Sequence, residues 1–214
     1  FEQAIGFLRR AATDPRRPEI EAWLNIAQMY QQMHRDLDMK VALDAYLAAS
    51  KDKLAALAKI EVQYASSALG EEHIKVLQQL IELQPENSAY RTKLGNKFML
   101  QGRKAEAFEI WFASLAQAQD PLRELEQLAS RLRQRQRAGW LLEFYQLLME
   151  RGDMGAKLYE LIGDLYADRR AFARYSTRGF SGATEHEERK LAVFYYKRYL
   201  DEVPLSTSEL SSFG

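Results

Sequence analysis

A pattern of residues returns every 34 positions along this chain. Its clearest copy has Leu94, Gly95 and Phe98: an apolar residue, a small one and, three positions later, a large apolar one. Steps of 34 residues reach the corresponding triads Ile26, Ala27 and Tyr30; Ile60, Glu61 and Tyr64; Leu128, Ala129 and Leu132; and Ile162, Gly163 and Tyr166. Glu61 departs from the pattern, because an acidic side chain stands where a small residue is expected. A fixed period of this length indicates an array of similar structural units.

The segment 89–121 shows what kind of unit is repeated. Helical spacing of apolar residues runs along the whole chain, and the alternation typical of strands is absent. After the triad come Gly102, Ala107 and Trp111. Together they resemble the tetratricopeptide repeat (TPR) pattern L-G-x2-Y, then Gly, then A-x3-F. The resemblance implies an all-α fold, a right-handed superhelical α-solenoid of about five helix-turn-helix repeats. An irregular helical bundle is the alternative, and a register kept over five copies disfavours it.

The register also predicts the domain organisation. The predicted parts are 1–19, the second helix of a preceding repeat; repeats at 20–53, 54–87, 88–121, 122–155 (degenerate) and 156–205; and 206–214, a tail or the start of another helix. Tyr166 and Ala192 are 26 residues apart, against 9 for Phe98 and Ala107, so the last repeat is predicted to carry a 17-residue insertion at its internal turn. Tyr30 and Ala42 are 12 apart, which predicts a smaller insertion of three residues.

Composition excludes several classes of protein. Lys+Arg and Asp+Glu both number 30, and this balance argues against bulk nucleic-acid binding, which needs an excess of cations. The chain has no Cys, so disulfides, thiolate metal sites and a Cys nucleophile are ruled out. No apolar run approaches the ~18 residues of a membrane span. The opening FEQAIGFLRRAA has the pattern of a helix interior, so we expect a longer natural protein.

No constellation of residues predicts catalysis. His34, His73 and His186 are far apart and have no second His at helical spacing, so we predict no metal site. His73 stands where the repeat usually has a small Ala, which predicts a packing role. The stretch 179–183 resembles a nucleophile elbow but ends in Ala183 and follows no strand. We therefore predict a protein that is not an enzyme and needs no cofactor.

Two sets of residues are candidates for partner binding. The resemblance implies that the first helices line a groove and that repeat positions 2, 5, 9, 12 and 13 contact the ligand. The groove candidates are Gln28, Gln31, Thr92, Asn96, Met99, Arg123, Arg133, Lys157, Glu160 and Asp164. The subgroup that binds the terminal carboxylate of chaperone tails needs Lys where this chain has Ala58 and Thr92, so that ligand is not expected.

The 17-residue insertion supplies the second set. Its candidates are Arg169, Arg174, Tyr175, Arg178 and Phe180. Arg beside aromatic residues is the composition of interface hot spots. The alternative is that Phe172 and Tyr175 pin the loop to its own repeat while the Arg side chains stay solvated.

These features predict a scaffold for protein–protein interaction. The long, degenerate, cysteine-free array is similar in style to the periplasmic repeat regions of bacterial exopolysaccharide export proteins of the Pel type. That resemblance implies a biofilm context, a periplasmic location and a partner that is a polysaccharide-modifying deacetylase or hydrolase. The alternatives are a cytoplasmic TPR adaptor or assembly factor and a carbohydrate-contacting module.

Overall fold

A computed structural model describes residues 1–134, 138–152, 154–167 and 185–202. Within these ranges the chain forms α-helices and no β-strand, which confirms the prediction of an all-α fold of helical repeats. The helices are α1 (Glu2–Ala12), α2 (Ala22–Gln32), α3 (Asp36–Ala49), α4 (Lys53–Ala65), α5 (Gly70–Leu83), α6 (Ser88–Leu100), α7 (Lys104–Gln117), α8 (Pro121–Gln134), α9 (Ala138–Glu150), α10 (Lys157–Ala167) and α11 (Glu185–Glu202).

The helices pair into hairpins, and the chain divides into two compact units, Phe1–Gln117 (unit 1) and Ala118–Gly214 (unit 2). In unit 1, α2 packs with α3, α4 with α5 and α6 with α7, while α1 packs against α2. In unit 2, α8 packs with α9 and α10 with α11. The second helix of one hairpin contacts the first helix of the next at α3–α4, α5–α6 and α9–α10. Each hairpin therefore covers apolar surface that its neighbour could not bury alone.

Side-chain caps mark the starts of several first helices. The Asp52 carboxylate accepts a hydrogen bond from the Ala55 N–H at 3.0 Å at the start of α4. Asn87 caps α6 through the Ala89 N–H at 3.2 Å. Asp120 accepts from the N–H of Arg123 at 3.0 Å, just before Pro121 opens α8. Such caps satisfy amide groups that have no partner inside the helix, and they fix where each repeat begins.

The turn between α2 and α3 has the same geometry as the turn between α6 and α7. The backbone N–H of Arg35 and that of Arg103 each donate to the carbonyl oxygen five residues earlier, at 2.9 Å in both turns. The residue before each Arg has positive φ, 54° at His34 and 74° at Gly102. Glycine adopts this conformation without penalty, whereas the Cβ of a histidine makes it costly.

The first complete repeat therefore carries no insertion at this turn. Since the two turns are equivalent, the counterpart of Ala107 is Met39, 68 residues earlier, and both are 0% exposed. The predicted three-residue insertion is wrong. The sequence comparison paired Ala42 with Ala107 because both residues are small. In the structure, the long side chain of Met39 fills the core position that corresponds to Ala107.

Glycine permits the closest approach of the paired helices in two hairpins. A Cβ added to Gly95 of α6 would lie 2.3 Å from Nε1 of Trp111 on α7, which is impossible without movement of the indole. A Cβ at Gly163 of α10 would lie 2.9 Å from the ring of Tyr196 on α11. In these two hairpins the small residue of the triad thus faces a large aromatic ring on the partner helix.

Candidate functional site

Unit 1 leaves one face of its three first helices open. On α2, α4 and α6 the residues at repeat positions 2, 6, 9 and 13 lie on one side of each helix, because their spacing is i, i+4, i+7 and i+11. These residues are Glu21, Asn25, Gln28 and Gln32; Ala55, Lys59, Val62 and Ser66; and Ala89, Lys93, Asn96 and Leu100. All are exposed except Asn96, which is half-buried. We call this set the first-helix face.

Side-chain bonds show that α2 and α4 are neighbours on this face. The Gln31 amide Nε2 of α2 donates to the Ser66 hydroxyl at 2.9 Å and to the Gln63 carbonyl oxygen at 3.3 Å. The Lys59 ammonium of α4 donates to the carboxylate of Glu21 at 2.7 Å, and this bond is the main cause that raises the pKa of Lys59. The two first helices are thereby joined across the face.

A buried ion cluster joins α4 to α5 and α6. Glu61 is 2% exposed, and its Oε1 lies 2.9 Å from Nε2 of His73 on α5, itself 6% exposed. Its other oxygen, Oε2, accepts from the Lys93 ammonium of α6 at 2.5 Å. These three residues form what we call the Glu61 cluster. Both oxygens of the buried carboxylate thus have a partner, as burial of a charge requires.

Two opposing effects act on the acidity of Glu61. Burial alone would raise the pKa of its carboxyl group. The hydrogen bonds from His73 and Lys93, together with the positive charge of Lys93, outweigh burial and hold the pKa of Glu61 below its usual range. The carboxylate is therefore ionised at neutral pH, and its negative charge is matched by Lys93.

The predicted groove residues of unit 1 have different environments. Gln28 is exposed, Gln31, Thr92 and Asn96 are half-buried, and Met99 is 1% exposed. Met99 was predicted as a groove contact, and this is wrong for its side chain, which lies in the core. The error arose because the carried-over position faces inward on α6.

The predicted residues of unit 2 are largely engaged with each other or with neighbouring helices. Lys157 donates to Glu160 at 2.6 Å. Asp164 accepts from the Tyr196 hydroxyl at 2.7 Å; burial and this bond raise the pKa of Tyr196 to about 12. Two further candidates lie on α8, where Arg123 is exposed and Arg133 half-buried.

The loop candidates Arg169, Arg174, Tyr175, Arg178 and Phe180 lie outside the described residues, as does the predicted tail 206–214. Their roles stay predictions. Among the described ranges, no group of three or more His, Asp or Glu side chains could hold a metal ion. In the same ranges, no helix has the length and apolar character needed to cross a membrane.

Sequence reasoning missed the lysines of the first-helix face. Lys59 and Lys93 occupy repeat position 6, which the family pattern does not give as a ligand contact. Each reaches back to a carboxylate that belongs to the preceding repeat, Glu21 or Glu61. The recurrence of Lys at a spacing of 34 residues was the available signal.

Comparison with known proteins gives distant structural likenesses. No protein-family model matches the chain, and no curated protein matches it. A crystal structure of MamA protein is 16% identical, with a TM-score of 0.44 over 87% of this chain and 97% of that one. A tetratricopeptide repeat protein from Parabacteroides merdae is 13% identical, with a TM-score of 0.46 over 99% of this chain and 88% of that one. The assignment of hairpins rests on the chain's own helix contacts.

Proposed function

We propose that this chain is a non-catalytic scaffold whose first-helix face in unit 1 binds a partner protein. One observation carries the proposal. Three successive first helices leave the same four repeat positions open, although their other faces are used for packing. The stability of a helical array comes from contacts within each hairpin and between neighbouring hairpins, so a repeated face that both leave exposed is available for binding.

The chemistry of the face favours binding over catalysis. Its side chains are amides, aliphatic groups, the Glu21 carboxylate, two lysines bonded to carboxylates and the Ser66 hydroxyl, which accepts from Gln31 and has no base beside it among the face residues. The pair of Glu61 and His73 is closed to substrate because both residues are buried. A general acid or base must reach the reacting group.

Two matched pairs of exposed residues allow a direct test. Val62 and Leu100 lie on the first-helix face and are each 61% exposed. Val41 and Leu37, on the second helix α3, are 65% and 73% exposed. The experiment captures proteins from a lysate of the native host with the full chain, with Val62→Arg/Leu100→Arg, and with Val41→Arg/Leu37→Arg.

We expect a protein captured by the wild-type chain to be lost with Val62→Arg/Leu100→Arg and retained with the α3 variant. Retention by both variants would place the binding site elsewhere and overturn the proposal. The same conclusion follows if the wild-type chain captures no protein. Circular dichroism of both variants confirms that arginine at these exposed positions leaves the helices intact.

The finer setting of the proposal rests on resemblance of the sequence alone. In that setting the scaffold recruits a polysaccharide-modifying deacetylase or hydrolase to an exopolysaccharide export assembly in the periplasm. The identity of the captured protein tests it. A cytoplasmic assembly partner would instead favour a general adaptor.

A further inference from the structure

We propose that the first-helix face selects an uncharged segment of its partner protein, and that Glu61 sets this preference by neutralising Lys93. The inference rests on the proposed function, because it specifies the ligand of the same face. Glu61 acts here as a positioning residue: it is buried and influences the partner only through the lysine that it holds.

The lysines of α4 already have partners within unit 1. Helix α2 contains no Lys or Arg. On α4, Lys53 donates to the Leu47 carbonyl oxygen at 2.6 Å, and Lys59 donates to Glu21 at 2.7 Å. An acidic partner would have to share each ammonium group with the acceptor that it already has.

Two of the three cations of α6, Arg91 and Lys93, are held in a similar way. Arg91 is 4% exposed and donates to the Pro85 carbonyl oxygen and to the Gln117 side chain. Lys93 donates to Glu61 at 2.5 Å, although half of its own side chain is open to solvent. Lys97 is half-buried, and its stem lies beside Gly70 at the start of α5.

What the residues of the first-helix face leave for a partner is therefore neutral. Gln28 and Asn96 offer amides, and Val62 and Leu100 offer apolar surface between the paired charges. A carboxylate docked here would lose water without gaining an unpaired cation, and like-charge contact with Glu21 would disfavour it further. An uncharged segment pays no such penalty, so charge complementarity favours it.

The inference turns on a single buried charge. Glu61→Gln keeps the size and an acceptor oxygen for Lys93, but it removes the negative charge that balances the ammonium. The open half of Lys93 would then attract acidic residues. Glu61→Gln/Lys93→Gln removes both charges and should restore the neutral face, whereas a purely structural effect of Glu61→Gln would persist in the double variant.

The test selects peptides from a random 12-residue display library on the immobilised full chain. Four chains are compared: wild type, Glu61→Gln, Glu61→Gln/Lys93→Gln, and Glu82→Gln. Glu82 is exposed on the second helix α5, so its variant matches the change of net charge without altering the first-helix face. Only peptides whose binding is lost on Val62→Arg/Leu100→Arg are counted.

We expect wild type and Glu82→Gln to enrich peptides poor in Asp and Glu. With Glu61→Gln, the Asp and Glu content of the pool should rise about two- to fivefold, the range for one exposed ion pair. The double variant should return to the wild-type content. Should Glu61→Gln fail to fold, Glu21→Gln frees the exposed Lys59 of the same face from its carboxylate and should raise the Asp and Glu content in the same way.

Two results would overturn the inference, and they can be told apart. In the first result, peptides that depend on Val62 and Leu100 are enriched, but wild type selects acidic sequences or Glu61→Gln selects the same residues as wild type. The preference for an uncharged segment is then wrong, whereas the first-helix face remains the binding site. If wild type enriches no peptide that depends on Val62 and Leu100, the proposed function fails together with the inference.

Discussion

Glu61 and His73 stand one period before Gly95 and Ala107, the positions where the third complete repeat has its two small residues. From the sequence they were two separate departures from a pattern. The structure shows that they compensate each other, because the carboxylate and the imidazole fill the space between α4 and α5 as a hydrogen-bonded pair. The period identified both positions, but it could not show that they pair, since contact between two helices depends on side-chain direction.

At this residue scale, the Glu61 cluster predicts a pH-dependent stability. The folded pKa of Glu61 is lowered, so its stabilising contribution is complete above the unfolded value of about 4.5 and is lost as pH falls through the folded pKa. Wild type should exceed Glu61→Gln in free energy of unfolding by about 1–3 kcal/mol at pH 7, with the difference shrinking in acid. Urea unfolding from pH 7 to pH 3 measures it.

Glu82→Gln is the control for that comparison. It alters an exposed side chain, so its unfolding free energy should stay within about 0.5 kcal/mol of wild type at every pH. A difference for Glu61→Gln that stays constant or grows on acidification would show that the ionised carboxylate is not the source of the stabilisation.

The contact between Gly95 and Trp111 supplies a second prediction. Gly95→Ala should destabilise the chain by about 1–3 kcal/mol, because the new methyl group overlaps the indole. Gly6→Ala in α1 is the matched control: nothing lies within 4 Å of its Cβ position, so alanine should stabilise by up to about 1 kcal/mol. Chemical denaturation of both variants measures the change in free energy of unfolding. Equal changes in the two variants would contradict the overlap of the new methyl group with the indole.

Turns set the register between paired helices. In unit 1 an arginine follows the positive-φ residue at two turns, and its guanidinium lies over the aromatic ring of the preceding helix. Arg35 is over Tyr30 at 4.9 Å, and Arg103 is over Phe98 at 4.5 Å. Each arginine also binds the acid three residues later and an acid of the preceding second helix: Asp38 and Glu2, or Glu106 and Glu71.

This recurrence shows which parts of an element the sequence could and could not predict. Gly102 matched the family pattern, so its turn was expected. The equivalent turn at His34 was not predicted, because histidine is not a typical residue for positive φ. Ala42 was therefore taken as the counterpart of Ala107. Small size is a good guide to close helix contact, but it fails where a flexible Met39 fills the same space.

His34 therefore predicts a stabilising substitution at the scale of the element. His34→Gly removes the Cβ strain of a left-handed residue and should raise the free energy of unfolding by about 0.5–1 kcal/mol. The reciprocal Gly102→His should lower it by about 1–2 kcal/mol. Thermal and urea unfolding of both variants provide the measurement. Destabilisation by His34→Gly would show that contacts of the imidazole stabilise the fold by more than the left-handed backbone conformation destabilises it.

At the scale of the whole molecule, the chain divides into two compact units, Phe1–Gln117 and Ala118–Gly214, while the repeat boundaries drawn from the sequence stay predictions. A period reports equivalent positions, and it does not report how densely successive hairpins contact each other. Unit 1 holds a continuous core to which α1 to α5 contribute buried side chains such as Ile5, Ile26, Leu43, Ile60 and Leu80, with the partly buried Tyr90 of α6 packed against it.

Unit 1 should consequently fold by itself. A fragment of residues 1–117 keeps three hairpins, the Glu61 cluster and the first-helix face, and three repeats meet the minimum number that a stable array needs. We expect helical circular dichroism and one cooperative thermal transition. A fragment of residues 1–83, which loses α6 and with it Lys93, is the comparison and should melt at a lower temperature. Non-cooperative melting of 1–117 would contradict its independence.

The Glu61 cluster fixes the order of the repeats. Repeat proteins are often treated as modules that can be deleted, duplicated or exchanged. Here the carboxylate of one module is completed by Lys93 of the next, and the residue one period after Lys93 is Gln127. Removal of residues 88–121 would bring Gln127 to the register position opposite Glu61 and leave a buried charge without its ammonium. Shuffling of modules is therefore restricted at this junction, although the helical lengths on either side would permit it.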